Sequence, residues 1–183
     1  MIKCRNIVCA LVFALAFLVV MPAVADHIPP GGSGGGDLEL GEGPATILSI
    51  IAPNDITDWL LSPGTNSRAS VFKVSANGDW YVKANDSDSV TNGHMTEWYD
   101  GSYINEPKQL ANPMNVSVES GGNITAGYEV KLPAGGMIAR GGDTSGLKNV
   151  EVTFKQPVSW TDKILTDGHR YQMVLTFTIS PYS

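Results

Sequence analysis

Arg170-Tyr-Gln-Met-Val-Leu-Thr-Phe-Thr-Ile-Ser180 alternates between apolar and polar side chains along almost its whole length. Tyr171, Met173, Leu175, Phe177 and Ile179 fall on one face, and Gln172, Thr176, Thr178 and Ser180 on the other. That period of two marks a strand with one face buried, and only Val174 departs from it. Five large apolar side chains on one side cannot stay in water, so the strand requires a sheet whose inner surface covers it.

Upstream, short runs of the same kind supply that sheet. Residues 45–52, Ala-Thr-Ile-Leu-Ser-Ile-Ile-Ala, are expected to form the first buried strand, ended by Pro53, while 56–61 suits one helical turn or a short strand. Residues 68–85 hold two alternating runs around Asn77-Gly78. A two-residue turn there would oppose Phe72 to Lys83; a three-residue loop with Gly78 in the left-handed conformation opposes Val74 to Trp80 and Phe72 to Val82. The second register gathers the apolar groups on one face and is the expected hairpin.

Residues 85–113 are polar, rich in turn signals, and expected to form a long loop. A second hairpin is expected from 114–119 and 124–132, with Val116 and Val118 matched by Ala126, Tyr128 and Val130. Val150, Val152 and Phe154 alternate in a strand that Pro157 should stop, and 158–165 reads as a short edge segment before the Asp167-Gly168 turn. Six to eight short strands with no amphipathic helix in 26–183 make an all-β chain, an antiparallel β-sandwich.

Residues 1–25 read as a secretory signal peptide, with Lys3 and Arg5 before an apolar run and Ala23-Val24-Ala25 as the cleavage site. Residues 26–36 are a proline- and glycine-rich flexible tether, and 37–183 form a single β-sandwich domain. Cleavage would remove both cysteines and two of the 12 basic residues, but none of the 18 acidic ones. A secreted chain of this kind is stabilised by a core rather than by disulfides. Its excess negative charge argues against nucleic acid or an anionic membrane surface as partner, and no membrane association is expected after signal cleavage.

The search for chemistry leaves little. His27, His94 and His169 lie in a tether, a loop and a turn without ligand spacing, so no metal and no cofactor is expected. Asp79, Asp86 and Asp88 lack the dense acidic loop of a calcium site. No serine sits in a G-x-S-x-G turn, and no residue is assigned a catalytic role: the chain is expected not to be an enzyme. Trp98, Tyr99 and Tyr103 could stack on sugar rings, which keeps a small carbohydrate-binding or carbohydrate-active protein as one alternative. Asn85, Asn115 and Asn123 stand in N-x-S/T sequons and are candidate glycosylation sites in a secreted chain.

Trp59-Leu60-Leu61 and the terminal Tyr171-x-x-x-Leu175-Thr-Phe177-Thr-Ile179 resemble the WxL family of non-covalently attached cell-surface proteins. The motif positions are Trp59, Leu61, Tyr171, Leu175, Phe177 and Ile179, and the family's second motif carries Trp and Leu where this chain has Phe177 and Ile179. The resemblance implies an envelope-bound β-sandwich whose partners are a cell-envelope polymer or neighbouring surface proteins. The expected function is a structural or adhesive role at the cell surface. A further alternative is self-assembly, as a filament or biofilm-matrix subunit that exchanges its N-terminal strand with a neighbour.

Overall fold

The computed structural model describes residues 47–182, together with the backbone of Ile2–Cys4 and Ile7–Val8. Apart from those two short stretches, the residues read as a signal peptide lie outside the described residues, as do those read as a tether and Leu38 and Leu40. In chain order the strands are β1 (Ile2–Cys4), β2 (Ile7–Val8), β3 (Leu48–Ile51), β4 (Trp59–Leu61), β5 (Gly64–Ala76), β6 (Trp80–Asn85), β7 (Thr96–Tyr99), β8 (Ser102–Tyr103), β9 (Asn115–Val118), β10 (Ile124–Ala126), β11 (Val130–Lys131), β12 (Gly136–Gly141), β13 (Lys148–Val158), β14 (Arg170–Val174) and β15 (Thr176–Pro181). The described residues contain no helix, and the strands are more numerous than the alternation alone suggests, most of them short but β5 and β13 long, at 13 and 11 residues.

Two sheets carry the core. One has the order β11-β9-β13-β5-β3, the other β10-β12-β6-β15. Their inner faces meet at Phe177 of β15, whose ring lies 5.8 Å from Phe72 of β5 and 6.3 Å, edge on, from Phe154 of β13. Every second residue is buried there along β6, along β13 from Val150 and along β5 from Phe72, including Val74, Val82 and Val152. The antiparallel sandwich is thus built on the alternating pattern, each strand contributing one apolar side. The longest ladder, β5 with β13, runs from Lys148↔Val74 to Val158↔Gly64.

The hairpin expected at 68–85 does not form. β5 pairs with β13 and β3, whereas β6 pairs with β12 and β15, so the chain arches from one sheet to the other at Asn77-Gly78. Gly78 is outside the left-handed region, and Asn77 instead closes the arch by accepting Ile47 N–H at 2.7 Å on its Oδ1. Phe72, Val74, Trp80 and Val82 do share one buried interior. Alternation reports the buried face, and facing sheets of a sandwich present the same pattern as paired strands.

The terminal strand also divides. β14 pairs with β7, through Tyr171↔Glu97 and Gln172↔Thr96, while β15 pairs with β6 from Thr176↔Asn85 to Pro181↔Trp80. The chain changes sheets at Leu175, beside the Val174 that interrupts the alternation.

Other expectations shift for comparable reasons. Of residues 45–52, the described part from Ile47 yields a half-exposed edge strand rather than a buried one, since among the described residues β3 pairs only with β5 and Ile47 and Ile51 face solvent. In 124–132, Ile124–Ala126 joins β12 and only Val130–Lys131 pairs with β9, leaving Tyr128 outside at 82 % exposure. Pro157 does not stop β13, because β9 reaches only as far as Lys155 and the proline lies beyond it. The edge segment expected at 158–165 does not form: Val158 ends β13, 160–162 turn, and 163–165 belong to no strand.

Candidate functional site

One end of the sandwich carries a third sheet, in which β14 is flanked by β7 and β7 by β8. β7 and β8 come from the residues expected to form a long loop. β7 and β8 are joined by Asp100-Gly101, both with positive φ (45° and 87°), the two-residue turn whose twist suits adjoining strands. The turn sets Trp98 opposite Tyr103.

Buried carboxylates hold this end together. Asp86 accepts Asp88 N–H at 3.0 Å, Gly93 N–H at 2.6 Å and the Thr91 hydroxyl, folding 86–93 onto itself. Gly93 is required in that fold: its φ is +86°, and a Cβ would stand 2.5 Å from the Leu132 carbonyl carbon. Glu97, only 1 % exposed, accepts the Lys108 backbone N–H at 3.1 Å and lies 2.8 Å from His169 Nδ1, with Lys108 Nζ at 3.9 Å. The two acids cross-link segments that have few apolar groups to join them.

The three residues expected to stack on sugars have different surroundings. Trp98 and Tyr103 meet edge to face at 4.8 Å, and the Arg170 guanidinium lies 5.9 Å from the Trp98 ring centre. Their Nε1 and hydroxyl are buried without a partner in the described structure. Burial first, then the charges of Asp88 and Asp86, push the Tyr103 hydroxyl pKa well above the usual phenol range. Tyr99 stacks at 4.4 Å on the His169 ring but keeps 47 % of its surface exposed. Of the three, Tyr99 presents the most open surface.

The most exposed aromatic among the described residues was not expected. Trp160 is 88 % exposed on the turn after β13. Asp162 fastens that turn by accepting Ser159 N–H at 2.7 Å and Ala111 N–H at 2.8 Å, and Ser159 Oγ accepts Thr161 N–H at 3.2 Å. Ile164, also exposed, follows it, and the Tyr171 hydroxyl donates to Lys163 O at 2.8 Å. The Ser159-Trp-Thr-Asp162 spacing is the signal that could have identified this turn, since Ser and Asp side chains form such local bonds.

The remaining candidate positions separate into core and surface. Trp59, Leu61, Tyr171, Leu175 and Phe177 are buried, and Ile179 packs against them, so the resemblance positions build the interior. Among the sequons, Asn123 is exposed on a turn, Asn85 donates to its own Ser87 Oγ at 3.2 Å, and Asn115 lies in the β9 ladder with its Nδ2 on Glu129. Asn123 also borders a shallow groove of about 310 Å³ with Asp143 and Lys148, floored by Trp80. The Trp80 ring itself is buried, with Nε1 donating to Gly142 O at 2.7 Å. Among the described residues no three His, Cys, Asp or Glu side chains gather as a metal-binding set. None of the family models, curated proteins or solved structures compared with this chain matches it.

Proposed function

We propose that this chain is secreted and, freed of its leader, acts at the cell surface as a structural or adhesive β-sandwich. It binds an envelope polymer or a neighbouring surface protein, in the manner that the WxL-like layout implies, rather than catalysing a reaction. The observation that supports the reading is Trp160. An indole held almost wholly in solvent by a turn that Asp162 ties to the body is a contact residue already in place. Aromatic side chains contribute strongly to contact surfaces, and a fixed turn loses little conformational entropy when a partner arrives. Tyr99 offers a second exposed ring, and both rings suit the flat faces of sugars.

The test is co-sedimentation of the mature protein with isolated cell envelope. Trp160→Ser should lower the retained fraction about tenfold, the equivalent of roughly 1.4 kcal/mol, and leave the melting temperature within about 1 °C. Retention equal to that of the parent chain would remove Trp160 from the contact and the reading with it.

A further inference from the structure

β4 has a single strand partner among the described residues, and that partner is β1. The backbone register is Ile2↔Leu61, Lys3↔Leu60, Cys4↔Trp59, antiparallel. β1 also lies close to β14, and β2 continues the same stretch as a parallel neighbour of β14, through Met173↔Ile7 and Val174↔Val8. Ile2–Cys4 and Ile7–Val8 therefore occupy a strand seat between β4 and β14, whose walls include the buried Trp59, Leu61, Tyr171 and Met173. These occupants belong to the stretch read as the signal peptide, and export would remove them. Two strand edges and their apolar walls would then stand open, a state that invites a strand from elsewhere.

We infer that the seat is filled in the mature protein by Leu38-Glu39-Leu40 of a second copy of this chain, joining subunits by strand donation. The inference rests on the reading that the leader is removed. Leu38-Glu39-Leu40 repeats the apolar, charged, apolar order of Ile2-Lys3-Cys4. In the same register Leu38 and Leu40 stand opposite Leu61 and Trp59, which face inward, and Glu39 stands opposite Leu60, which faces solvent. The run of residues 47–51 does not serve as donor, because it is already engaged with its own β5.

Distance favours a neighbour over self-insertion. Ile47 is bonded to Asn77, just past the Ala76 end of β5, whereas β4 leads into β5 at its other end, Gly64. A strand of 13 residues is roughly 40 Å long, and the seven steps from Leu40 to Ile47 span at most about 25 Å. The donor segment is thus too short to return easily to its own seat, while a second molecule can bring its seat to the donor.

The experiment begins with N-terminal sequencing of the secreted full chain. A start at Asp26 shows the leader gone; a start at Met1 overturns both the export reading and the donation, since the seat is then filled in cis. On the mature protein, sedimentation velocity over a hundredfold concentration range should show assembly that Leu38→Asp with Leu40→Asp abolishes. The double variant should remain folded, with a lowered melting temperature that a peptide of residues 36–46 raises in proportion to its concentration. Glu39→Cys with Leu60→Cys should give a ladder of covalent multimers on oxidation, because the mature chain has no other cysteine. A mature protein that stays monomeric at every concentration, or a Cys pair that closes within one chain, would overturn donation while leaving the export reading intact.

Discussion

The sandwich body and its aromatic end are held by different forces. In the body, Phe72, Phe154 and Phe177 meet across the sheets in an interior of alternating apolar side chains. At the end, Asp86, Glu97 and Asp162 each gather backbone N–H groups from segments distant along the loop or the chain. The first kind of cohesion is non-directional and cooperative over many residues. The second depends on single acceptors, so it permits abrupt turns and exposed rings such as Tyr99 and Trp160, but each staple has no substitute.

Removing a shared core ring should have the largest effect. Phe72→Ala is expected to cost about 3–5 kcal/mol, a large share of the total stability of a domain, and to lower the denaturant midpoint of the whole molecule. Asp86→Ala should cost about 1–3 kcal/mol, since it orphans the amides of Asp88 and Gly93 and the Thr91 hydroxyl. Its signature is local: amide exchange should quicken at 86–95 and remain slow in β5 and β13. Equal acceleration in those strands would show body and end to be one cooperative unit, and the contrast between them would fall. Gly78→Ala should change stability by less than about 0.5 kcal/mol, because Gly78 has no left-handed φ and an added Cβ meets nothing within 4 Å. A loss above 1 kcal/mol would restore the tight turn that the arch replaces.

This division of forces also governs what the amino-acid order reveals. The all-β class and the inward set Phe72, Val74, Trp80, Val82, Val150, Val152 and Phe154 are legible, because burial imposes a period that can be counted. Which strands exchange hydrogen bonds is not legible in the same way. Backbone groups are identical in every strand, so 68–85 looks like a hairpin when it is an arch between sheets. At the aromatic end the determinants are single polar residues: Asp86, weighed first as a calcium ligand, is satisfied by its own loop's N–H groups. Trp160 was hidden because exposure leaves no periodic trace.

Leu175 joins these two regions with no loop between them: β14 ends at Val174 and β15 begins at Thr176. The consequence is mechanical. A load taken up at the Trp160 turn passes two residues back along the chain into β13, and through the Tyr171 hydroxyl bond to Lys163 O into β14, whose last residue is one step from the strand that carries Phe177 between the sheets. Tension at the aromatic end is therefore shared by the ladder of β13 against β5 and that of β15 against β6, the latter six residue pairs from Thr176↔Asn85 to Pro181↔Trp80, so a pull at the exposed rings strains the body rather than peeling the end away.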